Sequence, residues 1–151
     1  MLASVLASQV ALADGTDLPV PGFVTVMTNK AGAVYAILGD KPAKPAPTIF
    51  VFFMTARETL LETNYRQIGT QLAQAGYLCV SIDLPCHGND LRKDEPDQLA
   101  GWRNRIDKKD SIFPALDKKL SGILDDLIAR GYTDSNRVVA CGASRGGFVA
   151  L

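Results

Sequence analysis

The alternation of strand patterns with helical stripes constrains the fold of this chain more than any other feature. The strand patterns cover residues 48–54, 77–83 and 138–141. The first is continuously apolar, which indicates a strand covered on both faces, as in a parallel sheet. Because parallel neighbours need crossover connections, the alternation predicts right-handed parallel crossovers in a layered α/β sheet.

A hairpin and two long helices complete this pattern. Residues 23–28 and 33–38 have strand character and are joined by a short turn, which predicts a β-hairpin. Apolar residues recur at helical spacing over 58–75 and 116–130, and a glycine follows each stripe. With a last helix opening at Ser144, the predicted order is β-β-β-α-β-α-β-α.

The segment between residues 89 and 111 is strongly charged and interrupts the alternation. A short helix is predicted over residues 98–105, with Trp102 as the large apolar anchor of the segment. The acidic residues Asp94, Glu95 and Asp97 are predicted to lie on a solvated surface.

Ser144 lies in the segment Gly142-Ala143-Ser144-Arg145-Gly146-Gly147, directly behind the last strand pattern. This is a G-x-S-x-G match between a strand and a helix. A serine at the tip of so sharp a turn sits on strained backbone, and its neighbours must be small for the chain to bend there. The turn exposes the hydroxyl and leaves the next amides free for an oxyanion. The alternative is a structural serine that caps the helix beginning there.

Three features in the same order make the chain resemble the N-terminal half of an α/β-hydrolase. Strand 48–54 enters the loop Thr55-Ala56-Arg57, and strand 77–83 ends in Asp83-Leu84-Pro85-Cys86-His87-Gly88, similar to the D-x-P-G-H-G turn of that family. The strand-to-helix turn at Ser144, called the elbow below, is followed by a second glycine, Gly147. This form is common in the dienelactone-hydrolase-like and prolyl-oligopeptidase-like branches. The resemblance runs from about residue 20 to the end. It departs from the family at Cys86, where glycine is usual, and in the loop after strand 48–54, where His-Gly is usual.

The resemblance implies a role for each residue of the motif. Ser144 would be the nucleophile, and the N–H of Arg145 would be one oxyanion donor. The second donor would be the amide of Ala56 or Thr55. Gly142, Gly146 and Gly147 would permit the turn and close packing of the helix. The triad acid and base would lie beyond residue 151, because in this fold they follow the serine along the chain.

The single histidine and the aspartate before it are expected to be structural. His87 precedes Ser144 in the chain, whereas the base of this fold follows its serine. The resemblance implies that the segment containing His87 is a structural turn. The alternative is that His87 is the catalytic base. Asp83 at the end of its strand is expected to fix the same turn. A nucleophilic Cys86-His87 pair is disfavoured because sequence neighbours on a turn rarely face each other.

The cysteines do not form a disulfide framework. In the family's strand order, strand 48–54 lies between the other two, so Cys79 and Cys141 would be two strand spacings apart, about 10 Å. This separation is too large for a disulfide.

These observations predict a serine-dependent hydrolase of esters or amides that acts by acyl transfer, truncated here before its acid and base. By itself the chain is then expected to be catalytically impaired. The first alternative is a non-catalytic scaffold of the same fold that binds a ligand, or an inactive fragment. The second is a dinucleotide-binding protein, which is disfavoured because the glycine spacing differs from G-x-G-x-x-G near the first βα turn.

Composition limits the partners. Sixteen basic residues balance sixteen acidic ones, and no basic stripe is visible along the sequence, which disfavours nucleic acid or an acidic membrane surface as a partner. No apolar run is long enough to span a bilayer, no metal cluster is present, and no cofactor is implied. The expected partner is a small-molecule or peptide acyl substrate. Self-association through an uncovered sheet edge is also expected.

The first residues form a segment of their own. Residues 1–13 are apolar and small, and Ala11-Leu12-Ala13 has the form of a signal-peptidase site. They are interpreted as a clipped export signal, with residues 14–151 forming part of one α/β domain. Export to the periplasm or the medium is the expectation, and a cytoplasmic location is the alternative.

Overall fold

The computed structural model describes residues 21–151, so the signal-like segment 1–13 lies outside the described residues. Five strands form one mixed sheet in the order β1-β2-β4-β3-β5. The strands are β1 (Val24–Thr28), β2 (Val34–Leu38), β3 (Ala46–Phe52), β4 (Leu78–Ser81) and β5 (Thr133–Gly142). Pairing is antiparallel within the β1–β2 hairpin and between β2 and β4, and parallel on both sides of β3. The predicted hairpin, the α/β class and the position of β3 between β4 and β5 are therefore confirmed.

Helices cover both faces of this sheet. They are α1 (Ala56–Leu61), α2 (Gln67–Gln74), α3 (Gln98–Asp107), α4 (Ile112–Ala129) and α5 (Arg145–Val149). Side chains of β3 alternate between the faces: Ile49 and Val51 belong to the apolar cluster under α1 and α2, whereas Phe50 and Phe52 belong to the cluster under α4. This alternation explains the continuous apolar run, because both faces of β3 are buried.

The stripe predicted as one helix over 58–75 is two helices separated by turns. Helix α1 already begins at Ala56, because Thr55 and Glu58 form a capping box in front of it. The chain leaves the helix at Glu62, and the rings of Tyr65 and Phe53 pack with centroids 4.3 Å apart. Weak helix formers in the intervening Thr63-Asn64 favour the break.

Helix α4 begins at Ile112, four positions before the predicted start. The prediction began at Leu116, where the apolar stripe starts. Pro114 is compatible with the earlier start because its ring lies in the first turn, where its missing N–H has no helical partner to lose. Within residues 21–151, no helix combines the length and the apolarity that crossing a bilayer requires.

The charged segment between β4 and α4 is packed more firmly than predicted. Helix α3 confirms the expected short helix, and Trp102 donates a hydrogen bond to the Pro85 carbonyl at 2.7 Å. The expectation that Glu95 is solvated is wrong: its side chain is 6% exposed and forms an ion pair with Arg105 at 2.9 Å. A charge run alone does not reveal a buried partner that lies ten residues further along the chain.

Candidate active site

Ser144 occupies a strained turn between β5 and α5. Its backbone has φ 53° and ψ −122°, a conformation that side-chain-bearing residues rarely adopt and that requires on the order of 1–3 kcal/mol from the surrounding fold. Ser144 is exposed, and its hydroxyl makes no capping hydrogen bond to α5. The helix-capping alternative therefore has no support in the structure. The hydroxyl is free to meet a ligand.

Two of the three predicted glycines are required by close backbone contacts. A Cβ at Gly142 would overlap the backbone carbonyl of Gly146, and a Cβ at Gly146 would overlap the backbone carbonyl of Phe52. Gly147 differs, because a Cβ there would meet its nearest neighbour at an ordinary 3.6 Å. The tight positions are those where the elbow folds back on itself and on the end of β3.

Arg145 begins α5 directly after Ser144. Its backbone N–H has no hydrogen-bond partner among residues 21–151, as expected for the first amide of a helix. Its side chain extends to the loop after β3, where Nη2 lies 3.4 Å from the sulfur of Met54. The elbow and this loop are therefore in contact, as the resemblance implies.

The amides expected to supply the second oxyanion donor are already engaged. The N–H of Thr55 donates to the Glu58 carboxylate at 3.1 Å, and the N–H of Ala56 donates to the Asp83 carboxylate at 2.8 Å. The N–H of Met54 donates to the Thr59 hydroxyl at 3.1 Å. A donor held by a carboxylate cannot serve an oxyanion at the same time, so in this conformation neither Thr55 nor Ala56 is available. The bond from Thr55 belongs to a Thr-x-x-Glu capping box, which is visible in the sequence, whereas the bond from Ala56 to Asp83 joins residues 27 positions apart and has no local signal.

Asp83 fixes the turn after β4, as predicted. One carboxylate oxygen accepts from Ala56, and the other accepts from the backbone and side-chain N–H groups of Asn89 at 2.7 and 2.9 Å. A Cβ at Gly88 would collide with the second oxygen, which explains the glycine there. The carboxylate joins the two loops at the C-terminal ends of β3 and β4.

His87 is buried in the same turn and is badly placed to act as a base. It is 4% exposed, and its Nδ1 lies 2.9 Å from the Pro85 carbonyl oxygen. It follows β4, whereas Ser144 follows β5, and β3 lies between them. Two strand spacings place the two turns about 10 Å apart, beyond hydrogen-bond reach. The structural interpretation of His87 is therefore supported.

The cysteines are free thiols: Cys79 and Cys86 are buried, and Cys141 is half-buried. Burial, followed by a hydrogen bond with Glu95, raises the pKa of Cys86 to about 12. Burial likewise raises the pKa of Cys79 to about 12, with a smaller contribution from Cys141. Thiols held in the protonated form are poor nucleophiles, which argues against a Cys86-His87 pair. Cys86 also has φ 63° in place of the family's glycine.

Comparisons with known proteins identify the architecture. No protein-family model and no curated protein matches the chain. Among solved structures, a protein named "m3DLH" is 23% identical with a TM-score of 0.56, and covers 85% of this chain and 52% of its own. A dienelactone hydrolase-like promiscuous phosphotriesterase from metagenomic libraries is 20% identical with a TM-score of 0.57, over 85% and 52%. The AtxE2 isopeptidase with astexin3-dC4 bound is 20% identical with a TM-score of 0.50, over 84% and 20%.

The chain thus has the α/β-hydrolase fold and spans about half the length of the first two of these structures, 52% in each case. The mixed sheet, with β3 between β4 and β5 and the elbow at the end of β5, corresponds to the N-terminal half of that fold. The recognised resemblance and the predicted fold class are confirmed at this level.

Proposed function

We propose that the chain carries the nucleophile of a serine hydrolase that cleaves esters or amides by acyl transfer. The observation that carries this proposal is the backbone of Ser144, which is strained, exposed and free of capping bonds. Strain of this kind persists where the surrounding structure enforces it, and it clusters at active sites. The turn at Ser144 presents the hydroxyl at the carboxyl ends of the parallel strands, where ligands bind in open α/β sheets.

The reaction follows from the groups at this edge. The Ser144 oxygen attacks the carbonyl carbon, and its proton passes to a general base. The carbonyl oxygen becomes an oxyanion, and the unpartnered N–H of Arg145 donates a hydrogen bond to it. Loss of the alcohol or amine leaves an acyl-serine, which water then hydrolyses. Because His87 is buried about two strand spacings away, the base and its orienting acid belong to residues beyond 151.

The substrate is a small-molecule or peptide acyl compound. The structures that match include a phosphotriesterase and an isopeptidase, so the fold does not fix which bond is cleaved. A non-catalytic scaffold of the same fold is the competing function, and labelling chemistry separates the two.

A fluorophosphonate, which reacts with activated serines, tests the proposal. The full-length product of the reading frame that contains this chain is expected to be labelled at Ser144, whereas the 151-residue chain is not. Ser144→Ala should abolish labelling. Ser121→Ala, at an exposed serine of α4, should retain it.

The coding DNA gives an independent test. Codons for further strands, an acid and then a histidine after residue 151 would support the triad, whereas a genuine stop codon there would rule it out. A full-length product that is folded but not labelled would overturn the proposal and favour the non-catalytic scaffold.

A further inference from the structure

A cavity of about 360 Å³ lies between the β1–β2 hairpin and the loops that follow β3 and β4. Its wall is aliphatic and consists of Val24 and Val26 of β1 with Val34 and Ala36 of β2. Its rim is formed by Thr55, Ala56, Arg57, Asp83, Gly88 and Asn89. A cavity of about 150 Å³ can hold a benzene ring, so this one has room for a larger apolar group.

The aliphatic wall follows from the register of the hairpin. Val26 pairs with Ala36 across the two strands. Val24 and Val34 each lie two positions away along their own strands, so all four side chains belong to one face of the sheet. Ala36 is part of the apolar cluster under α1 and α2, but these helices leave Val26 66% exposed. An apolar strand face is therefore open inside the cavity.

The charged groups of the rim are already occupied or solvated. Both oxygens of the Asp83 carboxylate accept hydrogen bonds, one from Ala56 and the other from Asn89. Arg57 is exposed, so its charge can stay in water while its stem lines the cavity. Neither side chain needs an ion from a ligand.

The hydroxyl groups of the lining are engaged as well. Thr55 donates its hydroxyl hydrogen to the Glu58 carboxylate at 2.6 Å. Tyr35 also lines the cavity, and its hydroxyl donates to the Asp126 carboxylate at 2.7 Å. Because the polar side chains are satisfied and the wall is aliphatic, the chemistry of the cavity favours an apolar, uncharged occupant.

The rim of the cavity adjoins the elbow. Nη2 of Arg145 lies 3.4 Å from the sulfur of Met54. Met54 is followed directly by Thr55 and Ala56, and both line the cavity. A substrate whose carbonyl group lies at Ser144 can therefore reach the cavity with a chain that passes over the loop after β3.

We propose that this cavity binds the aliphatic acyl chain of the substrate, so that the preferred substrates are esters or amides of medium-chain aliphatic acids. This inference rests on the function proposed above and adds a substrate class to it. The acyl chain stays on the enzyme in the acyl-serine while the alcohol or amine departs, so a cavity behind the loop suits the acyl side. Each methylene group that is buried there should strengthen binding by about fourfold.

A pair of chromogenic esters tests the inference in the full-length protein. p-Nitrophenyl octanoate has a chain that reaches the cavity, and p-nitrophenyl acetate does not. The readout is the ratio of kcat/KM for octanoate to that for acetate, which should be about tenfold or more in the wild type. Val26→Trp places a ring in the cavity at an exposed strand position and should lower this ratio by about tenfold. Lys30→Trp, at an exposed position of the hairpin turn, should leave the ratio unchanged.

Three outcomes would overturn the inference. A wild-type ratio near one would show that no chain enters the cavity, as when another part of the full-length protein fills it. Equal losses for both esters in Val26→Trp would show that the substitution disturbs the fold and not the binding of the chain. If Val26→Trp impaired the hydrolysis of octyl acetate but not of p-nitrophenyl octanoate, the cavity would hold the leaving group.

Binding without turnover separates this inference from the proposed function. In a Ser144→Ala background of the full-length protein, methyl octanoate should raise the melting temperature and methyl acetate should not. Adding Val26→Trp should remove the rise. If no ester is hydrolysed by the wild type, the proposed function fails, and the methyl octanoate shift still decides whether the cavity binds an aliphatic chain. Absence of that shift would overturn the site whatever the chromogenic esters show.

Discussion

Ser144 and the glycine two positions after it have backbone positions that disfavour a side chain. Ser144 adopts φ 53°, and Gly146 lies against the Phe52 carbonyl so closely that a Cβ would overlap it. Ala143 donates to that same carbonyl at 3.3 Å. The elbow is thus anchored to the end of β3, and this contact sets the position of the Ser144 hydroxyl.

Alanine substitution of the two neighbouring glycines tests this anchoring. Gly146→Ala should lower the free energy of unfolding by about 1–3 kcal/mol, because the new methyl group meets backbone that cannot move aside. Gly147→Ala is the matched control: its Cβ has an ordinary contact at 3.6 Å, and alanine favours the helix. Urea unfolding of both variants measures the difference. Equal destabilisation by the two substitutions would show that the elbow does not pack on β3 in this way.

At the level of elements, a buried ion-pair network holds the segment between β4 and α4 in place. Arg105 of α3 contacts the carboxylates of Glu95 and Asp90. Asp90 also accepts from the backbone N–H of Cys86 at 3.0 Å. The network connects the turn that carries His87 to α3, so a loss of charge within it would loosen the edge of the site.

The pH dependence of stability should report this network. Burial would raise the pKa of Glu95, but hydrogen bonds from Cys86 and Arg105 and the Arg105 charge outweigh burial and hold the pKa below its ordinary value. A lowered pKa in the folded state contributes stability above the unfolded value of about 4.3, and this contribution is lost as the pH falls through the folded pKa. Glu95→Gln should therefore be less stable at neutral pH and lose less stability on acidification.

Urea unfolding between pH 7 and pH 3 measures this effect. Asp97→Asn is the control, because Asp97 is exposed and makes no capping bond to α3. If the free energy of unfolding of Glu95→Gln changed with pH as that of the wild type does, Glu95 would not be the group that carries this pH dependence.

At the level of the whole molecule, β5 is an edge of the described sheet and is poorly covered. Val139 is 49% exposed, although it lies in an apolar strand segment. A groove of about 290 Å³ runs beside this strand between β3 and α4, and its lining is mostly apolar: Phe50, Phe52, Leu120, Leu124, Val138 and Val149. An open edge with apolar side chains is a template for pairing with another strand.

We therefore expect the 151-residue chain to associate with itself through β5. Val139→Lys should shift the population toward monomer, because a charge on an edge strand opposes pairing. Ile128→Lys is the control: it places a lysine on α4, where the side chain is 37% exposed, and should leave the monomer population nearly unchanged. Light scattering over a range of concentrations measures the shift. A wild-type chain that stays monomeric throughout would refute this expectation.

Much of the architecture follows from local patterns. The apolar run at β3 and the glycine-rich elbow at Ser144 depend on neighbours in sequence, so periodicity and turn chemistry were sufficient to predict them. The break between α1 and α2 was not predicted, since it involves a ring contact between Tyr65, in the turn that separates the helices, and Phe53, directly after β3. The burial of Glu95 escaped prediction for the same reason: its partner Arg105 approaches only after α3 has folded back.

The sequence by itself determined the α/β order of elements and the residue at the tip of the elbow, because both depend on steric rules that act within a few residues. Only the tertiary structure decided which groups around Ser144 are available. It engaged the amide of Ala56 with the carboxylate of Asp83, 27 positions away, and it left the Arg145 guanidinium without an anion among residues 21–151. Hydrogen-bond partners brought together from distant parts of a chain are fixed by packing, which no local pattern contains.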